Sequence, residues 1–440
     1  MSKNKMICGA GFAVLAISFI AFIALAVRED LKDGKASTSQ KENVGGTPAK
    51  SAPAKKQNTT VGREDYEAGM ALYEEGDYAE ALECFLVAAD LGNTAAQDML
   101  GICYYKLGMC YYDGGKGLDI APVGQTAIQC EEKDETMALE CFVESAQRGC
   151  ADGQYQLATC YYNGDCVNQN VPEALKWYIK AAEQFHAEAQ YSLGRHYERN
   201  VRSRRDMEEA VKWYRRAAEQ GHAKAQYSLG YRYLSGEGVK QNSAEAMKWL
   251  RKSAEQGYWA AQLQLASCCA NGIGGRQNMA EAIDWYRKAA DQGSAIALSM
   301  LGEIYKTGRG VEQDMAEAVK YFRKGAELGY AGAQYSLAEC YRLGEGVEKN
   351  MAEAAKWYRA SAEQDEMEAQ TRLARICETG EGVEKDLQEA IKWYTRAADH
   401  ADSEALDALK RLGVDYRYLP ARQREWQEKL RRQREQQKEL

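Results

Sequence analysis

Histidine is scarce in this chain, four residues in 440, and none of its 13 cysteines stand in a C-x-x-C arrangement. The Cys160 to Cys166 spacing fits no familiar zinc pattern, so no metal site is expected and no cofactor is implied. Gly-x-Ser-x-Gly and His-Glu-x-x-His are absent, which leaves no nucleophile, base and orienting group in a recognisable frame. A continuous basic stripe is missing as well. The formal net charge is −8, and the tail from Tyr416 is itself basic, with eight Lys/Arg against four Glu, so the remainder carries about −12. Such a surface does not attract a phosphate backbone, which argues against a nucleic-acid partner.

What the chain does have is a period. The tripeptide Glu-Ala-(Val, Met, Ile, Leu or Ala), followed by Lys-Trp-Tyr or a close relative, returns every 36 residues. Its alanine falls at Ala138, Ala174, Ala210, Ala246, Ala282, Ala318, Ala354 and Ala390. An earlier copy at Ala81 precedes Ala138 by one period plus an insertion of 21 residues. Nine copies of one unit make an array that buries its core between neighbours rather than in one globule.

Each unit reads as two helices. Asn or Asp stands four residues before the marker alanine in every copy (Asp77, Asp134, Asn170, Asp206, Asn242, Asn278, Asp314, Asn350, Asp386), and Glu usually stands just before it. That spacing predicts an N-cap with a Glu at the third helical position, each satisfying a free backbone N–H of the other. Pro172 fits a first turn, where its missing N–H costs little. This marker helix is expected to stop at a glycine (Gly149, Gly221, Gly257, Gly293, Gly329) able to adopt the left-handed conformation. A second helix follows with Ala-x-x-x-Leu-Gly/Ala-x-x-Tyr, its leucines (Leu100, Leu157, Leu193, Leu229, Leu265, Leu301, Leu337, Leu373, Leu409) all in one phase. The leucines and Trp177, Trp213, Trp249, Trp285, Trp357 and Trp393 are expected to fill the space between units. A Gly-x-Gly-Val turn, as at Gly236 to Val239, closes each pair.

Taken together, Ala-x-x-x-Leu-Gly-x-x-Tyr-x-x-Gly-x-Gly-Val-x-x-Asn/Asp-x-x-Glu-Ala-x-x-Trp-Tyr-x-x-Ala-Ala-Glu-Gln-Gly resembles the Sel-one-like repeat, a relative of the tetratricopeptide repeat. The match spans 93–412, and the opening stretch 63–92 is similar to a tetratricopeptide unit. The resemblance implies an all-α, right-handed α-solenoid of antiparallel helix pairs whose concave groove binds a protein or peptide without catalysis. A cysteine-rich branch of the family implies the alternative, a cell-envelope enzyme acting on peptidoglycan or a β-lactam, although the cysteine spacing here departs from that branch.

Three places break the pattern. The insertion near 105–132 partly duplicates Leu100-Gly-Ile-Cys-Tyr-Tyr as Leu107-Gly-Met-Cys-Tyr111-Tyr112, which lengthens a helix by two turns before a loop. At the fourth pair, Asn200-Val-Arg-Ser-Arg-Arg replaces the glycine turn and, with Arg199, gathers Arg202, Arg204 and Arg205. These four arginines with Tyr111 and Tyr112 are the candidate partner-binding residues; the bland reading of the arginines is a solvated basic turn. After 412 comes a polar segment, 413–440, read as a helical cap or tail.

Met6 to Val27 is uncharged behind Lys3 and Lys5, so 1–27 is read as a transmembrane anchor or a signal peptide. Either way the array is expected on the non-cytoplasmic side, membrane-anchored or cleaved and released, and 28–62 reads as a flexible tether. Cys84 and Cys141 occupy the Trp position of later copies, and Cys103 and Cys160 lie 19 residues onward. Symmetric placement about a turn gives equal heights on antiparallel helices, so Cys84–Cys103 and Cys141–Cys160 are candidate disulfides; the other reading makes all four small buried hydrophobes.

Overall fold

The computed structural model describes residues 62–114 and 133–414. The anchor or signal segment, the tether up to 61, the loop of the insertion and the tail beyond 414 lie outside the described residues. The chain divides into two compact units, Met1–Leu193 and Gly194–Leu440. The first holds α1 (Arg63–Glu75), α2 (Tyr78–Asp90), α3 (Thr94–Asp113), α4 (Glu135–Gln147), α5 (Ala151–Asn163) and α6 (Val171–Glu183), with α7 (Ala187–Arg199) running across the boundary. The second holds α8 (Arg204–Glu219), α9 (Ala223–Ser235), α10 (Ser243–Glu255), α11 (Trp259–Asn271), α12 (Met279–Asp291) and α13 (Ala295–Thr307). It continues through α14 (Met315–Glu327), α15 (Ala331–Leu343), α16 (Met351–Ala362), α17 (Met367–Thr379), α18 (Leu387–Ala398) and α19 (Ser403–Arg411). These are 19 helices with no strand among the described residues, an all-α solenoid.

The helices start where the sequence places them, with one exception. Asp77, Asp134, Asn170, Asn242, Asn278, Asp314, Asn350 and Asp386 each accept from a backbone N–H of the first turn. Asp206 does not cap. Without the glycine turn α8 begins a few residues earlier, Ser203 becomes the N-cap, and Asp206 moves to the third position of a reciprocal capping box. In several other copies the glutamate turns outward to a lysine three residues on, as in Glu245–Lys248 at 2.6 Å and Glu317–Lys320 at 2.7 Å, while Glu281 and Glu389 pair with Arg251 and Arg359.

Two expectations about packing change. The leucine helices α3, α5, α9, α11, α13, α15 and α17 each pack more extensively on the marker helix that follows than on the one before, so the Gly-x-Gly-Val turn lies inside a pair rather than closing it. Small residues allow that approach: a Cβ on Gly194 would sit 2.6 Å from the Tyr214 ring, and one on Gly302 would sit 2.5 Å from Phe322. Only two of the six marker-helix tryptophans, Trp285 and Trp393, are buried in the core. Trp177, Trp213, Trp249 and Trp357 are only half-buried, while the next residue is buried in every case, at Tyr178, Tyr214, Leu250 and Tyr358. A cation lies over several of these indoles, Lys180 at 3.7 Å from Trp177 and Arg216 at 4.6 Å from Trp213. A 100° step per residue turns position i+1 into the core when i faces its rim.

The second turn glycine explains why the motif needs it. Gly346 has φ 69°, and a Cβ there would stand 2.2 Å from the Met315 carbonyl oxygen at the start of the preceding marker helix. Where the helix-stop glycine is replaced, the backbone keeps its left-handed turn: Phe185, Asp365 and Ala401 have φ of 64°, 66° and 60°. The duplicated segment lengthens α3 to 20 residues against 13 for α5.

Candidate interaction surface

The leucine helices carry two polar systems that fix one repeat to the next. In the first, a buried glutamine on the first turn donates to the end of the neighbouring marker helix and accepts from a glutamine 30 residues later. Gln226 donates to the Ala218 carbonyl at 3.1 Å and accepts from Gln256 at 2.7 Å; Gln262 donates to Ala254 at 3.2 Å and accepts from Gln292 at 2.8 Å. The same rung recurs at Gln154 with Gln184 and at Gln334 with Gln364, each at 2.8 Å. Two variations show the logic. Leu298 and Leu328 replace both partners together, and at Gln370 the later position is His400, leaving the Gln370 Oε1 buried without a partner.

In the second system a glutamate on the leucine helix accepts from a marker-helix tyrosine and from an arginine further on. Glu198 accepts from Tyr214 and Arg232. Glu378 accepts from Tyr394 at 2.9 Å and Arg411 at 2.8 Å. Glu339 accepts from Tyr358 and from Arg342. Burial first, and then the glutamate, push the Tyr358 and Tyr394 hydroxyls well above the usual tyrosine range. These hydrogen bonds pin each of these marker helices to its leucine helix.

In the second unit, the replaced turn opens a depression of about 700 Å³ lined by Glu198, Val201, Arg204, Met207, Arg232 and Glu237. Arg232 is held between Glu198 and Glu237 with only 11% of its side chain exposed. Its guanidinium lies 5.1 Å from the centre of the Tyr231 ring, and Tyr231 is 41% exposed. Tyr227 joins this group, 6.4 Å from Tyr231 and 5.4 Å from Tyr258. Arg199, Arg202, Arg204 and Arg205 are all exposed on the turn, but only Arg204 reaches the depression, and it pairs with Glu208 at 3.2 Å. The backbone N–H groups of Arg202 and Ser203 donate to Asp206 at 2.9 and 2.8 Å, which holds its carboxyl below the usual range. The turn is therefore partly neutralised from within. Sequence reasoning missed Tyr231, Arg232 and Glu237; the signal available was that Tyr231 occupies a surface position filled differently in each neighbouring copy.

Tyr111 and Tyr112 belong to the first unit. Tyr111 packs on the core, and its carbonyl accepts from Asp134 at 3.0 Å. Tyr112 lies under the Lys133 ammonium at 4.9 Å and its hydroxyl donates to Asp165 at 3.4 Å. Both are half-buried and held by neighbours rather than presented. Cys103, Cys141 and Cys160 are buried and Cys84 is half-buried. Cys103 donates to the Tyr78 carbonyl at 3.1 Å, and the Cys160 sulfur lies 3.8 Å from that of Cys166. Burial pushes the Cys103 and Cys160 thiols up to about 12. Among the described residues no group of His, Cys, Asp and Glu is placed to hold a metal ion, and no helix is long and apolar enough to cross a membrane.

Comparison with protein families matches the Sel1 repeat nine times, over 63–93, 101–133, 151–184, 187–222, 223–258, 259–294, 295–330, 331–366 and 368–402. The chain belongs to the Sel1 repeat family. The frame of these Sel1 repeats begins with the leucine helix, in agreement with the more extensive packing across the glycine turn. The stretch likened above to a tetratricopeptide unit is matched as a Sel1 repeat as well. Among solved structures, a Sel1 repeat protein from Oxalobacter formigenes is 34% identical, covers 56% of this chain and 96% of its own, and superposes with a TM-score of 0.50. The protective antigen c5321 of uropathogenic Escherichia coli, described as displaying an SLR fold, is 27% identical over 84% of this chain and 91% of its own, with a TM-score of 0.48. No curated protein matches the chain.

Proposed function

We propose that this Sel1 repeat protein is a non-catalytic adaptor that holds a protein or peptide segment on its leucine-helix face, anchored at Tyr231 and the adjoining depression. Sel1 repeat proteins generally act as protein-interaction scaffolds. One observation carries the reading to a particular surface. The second residue after the motif leucine is Thr159, Arg195, Tyr231, Ser267, Glu303, Glu339 and Arg375 in successive copies, partly or fully exposed in all seven, while the motif leucine never changes. A position that stays at least partly accessible in these copies and changes its chemistry at most steps along the array is how a periodic scaffold distinguishes one ligand from another. Tyr231 is the large aromatic in that series. Its ring, backed by Arg232 and beside a depression, has the aromatic and arginine composition of a binding hot spot. The exposed Arg199, Arg202 and Arg205 form a rim that favours an acidic segment. The N-terminal segment would tether this array to a membrane, with the repeats on the non-cytoplasmic side.

The test is site-specific crosslinking of the full chain in its native cells, with a photoreactive residue at Tyr231 or, as control, at Lys248 on the exposed side of a marker helix. One defined adduct from position 231 alone is expected. Equal adducts at both positions, or none at 231, would remove the surface from consideration. Protease added to intact and to opened cells tests the tether, which requires the array to be cut before the cytoplasm is opened.

A further inference from the structure

We infer that Cys160 and Cys166 form a dithiol site that a low-molecular-weight disulfide oxidises to an intramolecular bridge. The observation is local and geometric. Cys160 lies on the last turns of α5 and Cys166 in the turn that follows, with their sulfurs 3.8 Å apart. Residue 166 takes the place of the second turn glycine of later repeats, Gly238, Gly310, Gly346 and Gly382. At those glycines a Cβ would stand between 2.2 and 2.5 Å from the preceding marker helix. Those glycines all have positive φ, whereas Cys166 does not. The turn is therefore bent another way, and its side chain packs on the hydrophobic cluster that contains Cys160.

The two thiols are unequal. Cys160 is buried and its S–H points at the Cys166 sulfur, while Cys166 is partly exposed; burial raises the Cys166 thiol, and the Cys160 S–H works against that rise. A thiolate must be both formed and reachable to attack, so Cys166 begins the exchange. Its sulfur attacks one sulfur of the small disulfide, forming a mixed disulfide and releasing one thiolate. Cys160 then loses its proton and attacks the Cys166 sulfur, expelling the second small thiolate. Overall the protein loses two electrons and two protons, and one disulfide becomes two thiols.

The full chain is equilibrated across a series of reduced and oxidised glutathione mixtures, alkylated, and cleaved with chymotrypsin. Cleavage after Tyr161 and Tyr162 places the two cysteines on separate peptides. At the oxidising end the two peptides are expected to be linked and unalkylated, and the link should titrate as one two-electron step. Cys166→Ser should abolish the link and leave Cys160 open to alkylation once the chain is unfolded. Cys166→Gly, which restores the residue used at later turns, should do the same with an unchanged helical melt. The inference is overturned if both thiols remain alkylated at the oxidising end, or if Cys160 is found joined to Cys141 or to any cysteine other than Cys166.

Discussion

The glutamine rung lends itself to a quantitative test at Gln262 and Gln292. Gln262→Leu removes two hydrogen bonds, the donation to the Ala254 carbonyl and the acceptance from Gln292. The Ala254 carbonyl still accepts from the Gly257 N–H at 3.0 Å, so it is not orphaned, and Gln292 lies at the surface where water can replace its partner. With each net hydrogen bond worth about 1 kcal/mol, the first substitution should cost about 2 kcal/mol and Gln292→Leu at least about 1 kcal/mol, since it also leaves the buried Gln262 Oε1 without its partner. The double variant loses the shared bond only once, so it should cost about 2 rather than about 3 kcal/mol, a coupling of about 1 kcal/mol. It would then carry the leucine pair that Leu298 and Leu328 already supply one repeat later. Urea denaturation of the four chains, compared by midpoint at equal slope, reads the coupling. Additive single effects would show that the glutamines do not act as a pair and that the leucine pair is coincidental.

Two further outcomes are expected. Gly346→Ala, whose Cβ would meet the Met315 carbonyl at 2.2 Å, should lower stability by about 2–4 kcal/mol. Gly329→Ala, with φ 85° and nothing within 4 Å, should cost only the left-handed penalty of about 1–2 kcal/mol; thermal melts of both test the order. In alkali, burial raises the Tyr178 hydroxyl to about 12. An unfolded tyrosine ionises near 10, so its stabilising contribution is full below about 10 and is lost as the pH climbs toward the folded value. Tyrosinate absorbance and loss of helical circular dichroism should therefore rise together above that point, and ionisation that precedes unfolding would contradict the burial argument.

The period, the helix starts and the leucine phase were legible because each rests on local chemistry: caps, glycine stops and a 3.6-residue stripe. The core role of Tyr178 and Tyr214 was hidden behind tryptophan because neighbouring aromatic residues cannot be assigned to core or rim without the helix rotation. The pairing frame was misread for a similar reason. The sequence order alternates two helices evenly, and only packing shows which neighbour is closer. At the candidate site, the arginines of the turn were visible, but the carboxylates that offset them were not. Glu198 and Glu237 stand 34 residues and five residues from Arg232, and only the fold joins them. The Cys141–Cys160 expectation used matched heights on antiparallel helices, whereas the structure turns the Cys160 sulfur toward a loop residue that symmetry ignores.

The leucine pair at Leu298 and Leu328 changes the mechanics of the array. Glutamine rungs hold neighbouring repeats at a fixed offset, since a hydrogen bond survives only small changes in distance and angle. Apolar contact is non-directional and tolerates sliding. The joint at Leu298 and Leu328 therefore lacks the directional tie that Gln226, Gln262 and Gln334 give their neighbours, and a small slide there breaks no rung.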